Sequence, residues 1–205
     1  MKPRLLQVCN VGQICGGTAA CAWTTVRALP GFEHVVAFLG PIADETRTAF
    51  QPHRLLQWSR VSRELVHSVR PDVVLLHNTS HTRVEGTWRT PTVLYLHSQI
   101  SPTRADVTVC CSKWLAARCG RSADDVLWQA VPRAPRRSRD VPDASLVIGR
   151  ICTPQVRKWP PKLAAFYRDL ANRCPDVWWE FVGCPADVAE PLAAACRGRA
   201  RFWTA

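Results

Sequence analysis

The sequence predicts an α/β fold: a parallel sheet covered by helices on both faces, followed by a second, incomplete unit of the same kind. Three observations carry this. Short, nearly continuous apolar runs alternate with helical patterns over residues 1–131, and strands that are apolar throughout belong to buried parallel sheets. Residues 132–144, PRAPRRSRDVPDA, hold three prolines and four arginines without an apolar period, which reads as a linker. The strand and helix pattern then restarts and runs over 145–205.

In order, apolar strands are expected at Leu5–Cys9, Val35–Leu39, Val73–His77, Val93–His97, Val107–Cys110 and Val126–Val131. Thr18–Leu29 is Ala-rich, follows a Gly-rich turn and reads as a helix. Arg54–Val69 reads as another, with Leu55, Trp58, Leu65 and Val69 near one face and Pro71 as its stop. Its other side would carry Arg60, Arg63, His67 and Arg70 as a basic stripe, suited either to a solvated face or to anionic lipid headgroups. Trp114–Cys119 follows Ser112 as N-cap and ends at Gly120. Past the linker come strand Ser145–Gly149, helix Pro161–Arg173, strand Val177–Val182, helix Ala186–Cys196 and a strand at Arg201–Trp203. That is about one and a half βαβ units, which would leave apolar strand edges unpaired.

Composition narrows the function classes. With 205 residues and 47% hydrophobic content the chain can bury a core. No apolar run reaches the roughly 18–20 residues of a membrane span. The opening MKPRLLQVCNVGQICGG suits a first strand better than a signal peptide, so a cytoplasmic location is expected. The ten cysteines include no CxxC pair, and Cys110–Cys111 are adjacent, so they read as thiols in a reducing compartment and no metal site is expected. Lys and Arg exceed Asp and Glu by 11, and only Lys2, Lys113, Lys158 and Lys162 are lysines. Such a balance suits a nucleic acid, an anionic membrane surface, phosphorylated ligands or simply a solvated face. No RNA- or DNA-recognition motif accompanies it, and a nucleic-acid partner is not expected. The nine tryptophans lie mostly inside strand and helix patterns and read as core.

Four constellations could carry chemistry. Gly12, Gly16 and Gly17 sit between a strand and a helix, where glycines let backbone approach a ligand at the helix N-terminus. The spacing is neither GxGxxG nor a P-loop, and tight-turn packing is an equal reading. His77 and His97 close the runs VVLLH and VLYLH, and strand C-termini of such sheets face the ligand crevice; each could equally be a hydrogen-bonded structural histidine. Arg150, Arg157 and Lys158 fall in a turn after a strand, where an Arg fork and a Lys point charge suit a diphosphate. No carboxylate pair and no GxSxG elbow stands out.

In this order and spacing the pieces resemble the retaining glycosyltransferases of family 4. The resemblance covers the Gly16–Gly17 opening, PDVVLLHN at 71–78, TPTVLYLHS at 90–98 and ADVTVCCSKWLAARCG at 105–120. It continues through an interdomain strand near Gln129–Pro132, GRICTPQVRK at 149–158 and PDVWWEFVGCP at 175–185. It implies a GT-B fold of two Rossmann-like domains, here 1–131 on the acceptor side and a partial nucleotide-sugar domain at 145–205. It implies sugar transfer with retention from a nucleotide-diphosphate donor to a saccharide or lipid-linked acceptor, with no cofactor and no metal ion. Arg150 and Lys158 would hold the donor diphosphate and stabilise charge on the leaving group. Gly16 and Gly17 would line the cleft, and His97 would lie by the donor sugar as the catalytic histidine. The chain departs from the family in carrying Thr18 and Ala19 where an acidic residue is usual, and Trp159 where glycine is common. The family's EX7E pair has no counterpart before Ala205, so a fragment with weakened donor binding is expected. A non-catalytic nucleotide- or saccharide-binding module, or one dependent on a partner chain, is the alternative.

Overall fold

The computed structural model describes residues 2–14, 17–129 and 146–203. The chain divides into two compact units, Met1–Ala134 and Pro135–Ala205. The expected linker at 132–144 and the candidate Gly16 lie outside the described residues.

In the first unit the chain runs through β1 (Arg4–Cys9), α1 (Gly17–Ala28), β2 (Glu33–Phe38), α2 (Asp44–Ala49), β3 (Arg54–Gln57) and β4 (Val61–Ser62). It continues with α3 (Arg63–Val69), β5 (Val73–His77), β6 (Val84–Glu85), β7 (Thr92–Leu96), β8 (Val107–Cys110) and α4 (Lys113–Arg118). Six strands form one parallel sheet in the order β3-β2-β1-β5-β7-β8. The chain therefore starts in the middle, winds outward to β3, and returns past β1 to build the other half, as doubly wound sheets do. Successive strand residues point to opposite faces. Val35 and Ala37 of β2 join one core with Leu65, Val69 and Leu115 from α3 and α4. Val36 and Phe38 of the same strand join the other, with Ala19, Ala22 and Val26 of α1. Both faces of the sheet are thereby covered, as the apolar runs predict.

Two expectations in this unit are corrected. Arg54–Val69 is not one helix. Leu55 and Leu56 extend the sheet beside β2, and the helix begins only after Ser62, whose side chain accepts a hydrogen bond from the Leu65 amide at 3.3 Å. The apolar spacing bridged a strand and a helix by coincidence, and the N-cap decided the boundary. The basic stripe dissolves with it: Arg60 precedes α3, and Arg70 is its left-handed C-cap at φ 51°. Arg63, His67 and Arg70 instead line, with Trp88 and Arg89, a hollow of about 500 Å³ near the N-terminal ends of β5 and β7. The strand expected at Val126–Val131 is reduced, in its described part, to a single parallel bridge between Cys110 and Val126. A 3₁₀ turn at Ala123–Asp125, closed by a Ser122 capping box, takes up the chain just before it.

The second unit contains β9 (Val147–Ile151), α5 (Lys162–Arg173), β10 (Trp178–Val182), α6 (Ala186–Ala195) and β11 (Ala200–Trp203). Its parallel sheet has the order β11-β10-β9. This is the β3-β2-β1 half of the first unit's sheet without the half that follows. Trp159, Trp179, Phe181 and Leu192 form its core, each no more than 1% exposed. β9 differs from β1: Leu146, Val147, Ile148 and Ile151 are 63%, 52%, 41% and 78% exposed, and among the described residues β9 has no second neighbour. β9 also begins and ends two residues later than the expected Ser145–Gly149, so Arg150 belongs to the strand and is not past its end.

Candidate functional site

In the first unit, β1, β5 and β7 end side by side at Cys9, His77 and Leu96. The turns that follow are stitched together by Asn78, which adopts φ 52°, a left-handed conformation that Asn tolerates better than most residues. Its Oδ1 accepts the amides of His97 and Ser98, both at 3.0 Å, and its Nδ2 donates to Ser98 Oγ at 2.8 Å. Asn10 Nδ2 in turn donates to the Asn78 carbonyl at 2.6 Å. Asn78 thus fixes where His97 sits. Sequence reasoning passed over it, although an Asn directly after an apolar strand was a signal.

His97 and His77 meet. His77 Nδ1 lies 3.4 Å from His97 Nε2, and the rings are 5.6 Å apart. Tyr95 packs on His97 at 4.5 Å between centroids. Burial, with His97 alongside, pushes His77 down to about 3, and burial pushes His97 down to about 4. Both imidazoles are therefore neutral near neutral pH, and His97 can offer a hydrogen bond but not a resident positive charge. Cys21 of α1 reaches the same place: its Sγ and one nitrogen of each histidine lie within 4.8 Å of one another. Burial pushes the Cys21 thiol up to about 12.

The glycine turn divides its roles. A Cβ on Gly12 would come within 2.0 Å of the Pro41 carbonyl oxygen, and the Gly12 carbonyl accepts Thr46 Oγ1 at 2.7 Å. Gly12 is a packing glycine. Gly17 opens α1 with nothing within 4 Å of where its Cβ would stand, so backbone there is approachable. Asn10 Oδ1 and Thr18 Oγ1, on either side of this turn, are buried without a hydrogen-bond partner.

In the second unit the cationic turn is built around Arg150. Its Nη2 donates to the Lys158 carbonyl at 2.7 Å, and its guanidinium lies 5.2 Å from the centre of the Trp159 ring. Trp159, fully buried, anchors the turn by donating Nε1–H to the Thr153 carbonyl at 3.0 Å. Arg150 therefore braces the turn that carries Lys158. Its Nε and the neighbouring Thr153 Oγ1 are buried and unpartnered. Arg157 is exposed and donates to Gln155 Oε1 at 3.1 Å, and among the described residues Lys158 forms no ion pair. The structure so brings Arg150 to Lys158 and His97 to His77, each pair within its own unit. No helix among the described residues is long and apolar enough to cross a membrane.

The sequence matches no family model and no curated protein. Solved structures do match it. HepE of Anabaena, determined in complex with UDP, aligns over 98% of this chain and 69% of its own, at 15% identity and TM-score 0.65. A glycosyltransferase from Rickettsia africae aligns over 99% of this chain and 68% of its own, at 12% identity and TM-score 0.62. A UDP-N-acetylglucosamine 2-epimerase aligns over all of this chain and 69% of its own, at 11% identity and TM-score 0.51. The chain accordingly has an α/β fold like that of the GT-B glycosyltransferases and epimerases, its second Rossmann-like unit being a partial one.

Proposed function

We propose that this chain is a glycosyltransferase-like protein that binds a nucleoside-diphosphate sugar and transfers the sugar, with retention, to a saccharide or lipid-linked acceptor. The observation that carries this reading is the braced cationic turn Arg157–Lys158 after β9, in a fold whose solved relative HepE holds UDP. A fixed turn lets Lys158 present its ammonium to a diphosphate without ordering it anew at each binding event. Arg150 supports the turn, and Arg157 supplies a second exposed cation. On the first unit His97, held by Asn78, would face the donor sugar as a neutral hydrogen-bonding group, and the approachable backbone at Gly17 belongs to the same unit. No cofactor or metal ion enters this transfer. The location would be cytoplasmic, with the Arg63–His67–Arg70 patch available for anionic lipid. In this reading the reaction parallels that of the family 4 transferases.

The test is calorimetric titration of UDP, followed by turnover of UDP-sugars with saccharide acceptors. Lys158→Ala is expected to weaken UDP binding tenfold or more, the loss of one charge-assisted hydrogen bond worth about 1.5–3 kcal/mol. Unchanged binding would remove the diphosphate assignment. The exposed β9 favours a second reading, a nucleotide-binding module that depends on a partner chain; it predicts UDP binding that Lys158→Ala weakens, with no turnover of any donor by this chain alone.

A further inference from the structure

Cys21 Sγ and one nitrogen each of His77 and His97 converge within 4.8 Å of one another, a metal-ligating set drawn from three elements. Gln7, fully buried, has its Nε2 3.4 Å from the Ala22 carbonyl, which can only accept. That orientation turns Gln7 Oε1 toward His77 Nε2 at 3.0 Å and places the His77 proton on Nε2. His77 Nδ1 then carries a lone pair aimed at His97 Nε2. At 3.4 Å this contact, like that of Gln7 Nε2 with the Ala22 carbonyl, is a long hydrogen bond, beyond the about 2.7–3.2 Å of a good one. Two imidazole nitrogens on one tetrahedral Zn²⁺, each at about 2.0–2.1 Å, stand about 3.3–3.4 Å apart. A thiolate at about 2.3 Å from the same ion would lie about 3.6 Å from each nitrogen. Cys21 Sγ is within 4.8 Å of one nitrogen of each histidine, so closure asks for a shift of no more than about 1 Å.

We propose that Cys21 Sγ, His77 Nδ1 and His97 Nε2 form a three-ligand site for a zinc-class divalent cation, with the fourth coordination position open beside His97, the least buried of the three. A thiolate with two imidazoles is a donor set that suits Zn²⁺. Gln7 supplies the outer hydrogen bond that ligating histidines require. As the metal–sulfur bond forms, the Cys21 proton leaves to solvent, one per ion bound. The three residues come from α1, β5 and the turn after β7, so no sequence spacing announces the site. Occupancy takes His97 out of its role toward a sugar, and Zn²⁺ is an inhibitor of transfer in this arrangement. The site goes beyond the transferase reading, and its test uses no sugar donor, so the two can fail separately.

The full chain is stripped with a chelator and titrated with Co²⁺, a spectroscopic substitute for Zn²⁺, while the near-ultraviolet sulfur-to-cobalt charge-transfer band is followed. One equivalent is expected to bind with that band, and Zn²⁺ is expected to displace it. Cys21→Ser should abolish the band and Cys174→Ser, at an exposed thiol, should retain it. Gln7→Met should weaken Co²⁺ binding about 10–100-fold, as loss of an outer-shell partner does. No sulfur-to-cobalt band in the parent chain, or a band that survives Cys21→Ser, overturns the proposal. Should Cys21→Ser fail to fold by circular dichroism, His97→Ala decides: weakening of at least tenfold supports the site and unchanged affinity overturns it.

Discussion

Replacing Trp179 by alanine is expected to unfold the second unit while leaving the first intact. Trp179 lies at the centre of that unit's core, 1% exposed, with Tyr167 edge-on to its ring at 5.4 Å. Removing a fully buried tryptophan costs about 3–5 kcal/mol through lost transfer energy and the cavity left behind. A core this small supplies only about 3–5 kcal/mol in total, so the substitution consumes most of it. Phe181, Trp159 and Leu192 cannot close around the gap without abandoning their own contacts. The first unit has its own cores on the two faces of its sheet. Hydrogen exchange on the full chain would read this directly. Amides of β9–β11, α5 and α6 should lose protection in Trp179→Ala, while those of β1, β5 and β7 keep it. Uniform loss across the chain would mean that the two units fold as one.

The second large effect is expected from acid. His77 titrates near 6.5 when exposed in the unfolded chain but at about 3 when folded, because burial and the adjacent His97 disfavour its charge. Between those values the unfolded chain binds more protons, so stability falls as pH falls. From pH 7 to pH 5 this amounts to about 2 kcal/mol for His77, with His97, also depressed by burial, adding in the same sense. A drop in Tm on the order of 5–10 °C should follow over that interval. His77→Gln, although less stable at neutral pH, should lose about half of the slope, the remainder being that of His97. A slope unaltered by that change would place the acid sensitivity in other groups.

Much of this architecture was legible in the sequence, and the exceptions have physical causes. β1, β2, β5 and β7 were readable because a strand buried on both faces is apolar at nearly every position, which few helices imitate over five residues. The α4 boundaries were readable because Ser112 and Gly120 carry cap chemistry, and Ser112 Oγ does accept the Leu115 amide at 3.2 Å. Arg54–Gln57 was not readable. Its two leucines happen to continue the helical spacing of α3, and only pairing with β2, a tertiary effect, makes it a strand. In the candidate site, His97 and Lys158 were visible as types at strand ends and turns. The bracing of Lys158 by Arg150, the stapling role of Asn78, and the convergence of Cys21 with two histidines depend on side-chain placement across distant elements. No spacing in a single sequence encodes that.

The uncovered flank at Leu146–Ile151 bears on how the protein behaves in solution. The chain carries a net charge of +11, and like-charged copies repel one another over about 10 Å at 0.1 M salt but only about 3 Å at 1 M. Beneath that repulsion lies an exposed apolar ribbon on a strand that, among the described residues, has no neighbour on its second edge, a surface suited to pairing with a second copy. Colloidal stability therefore rests on electrostatic distance-keeping, and added salt removes it. Light scattering should find the protein dispersed in dilute buffer and self-associating as ionic strength rises. A Val147→Lys, Ile151→Lys chain should remain dispersed throughout.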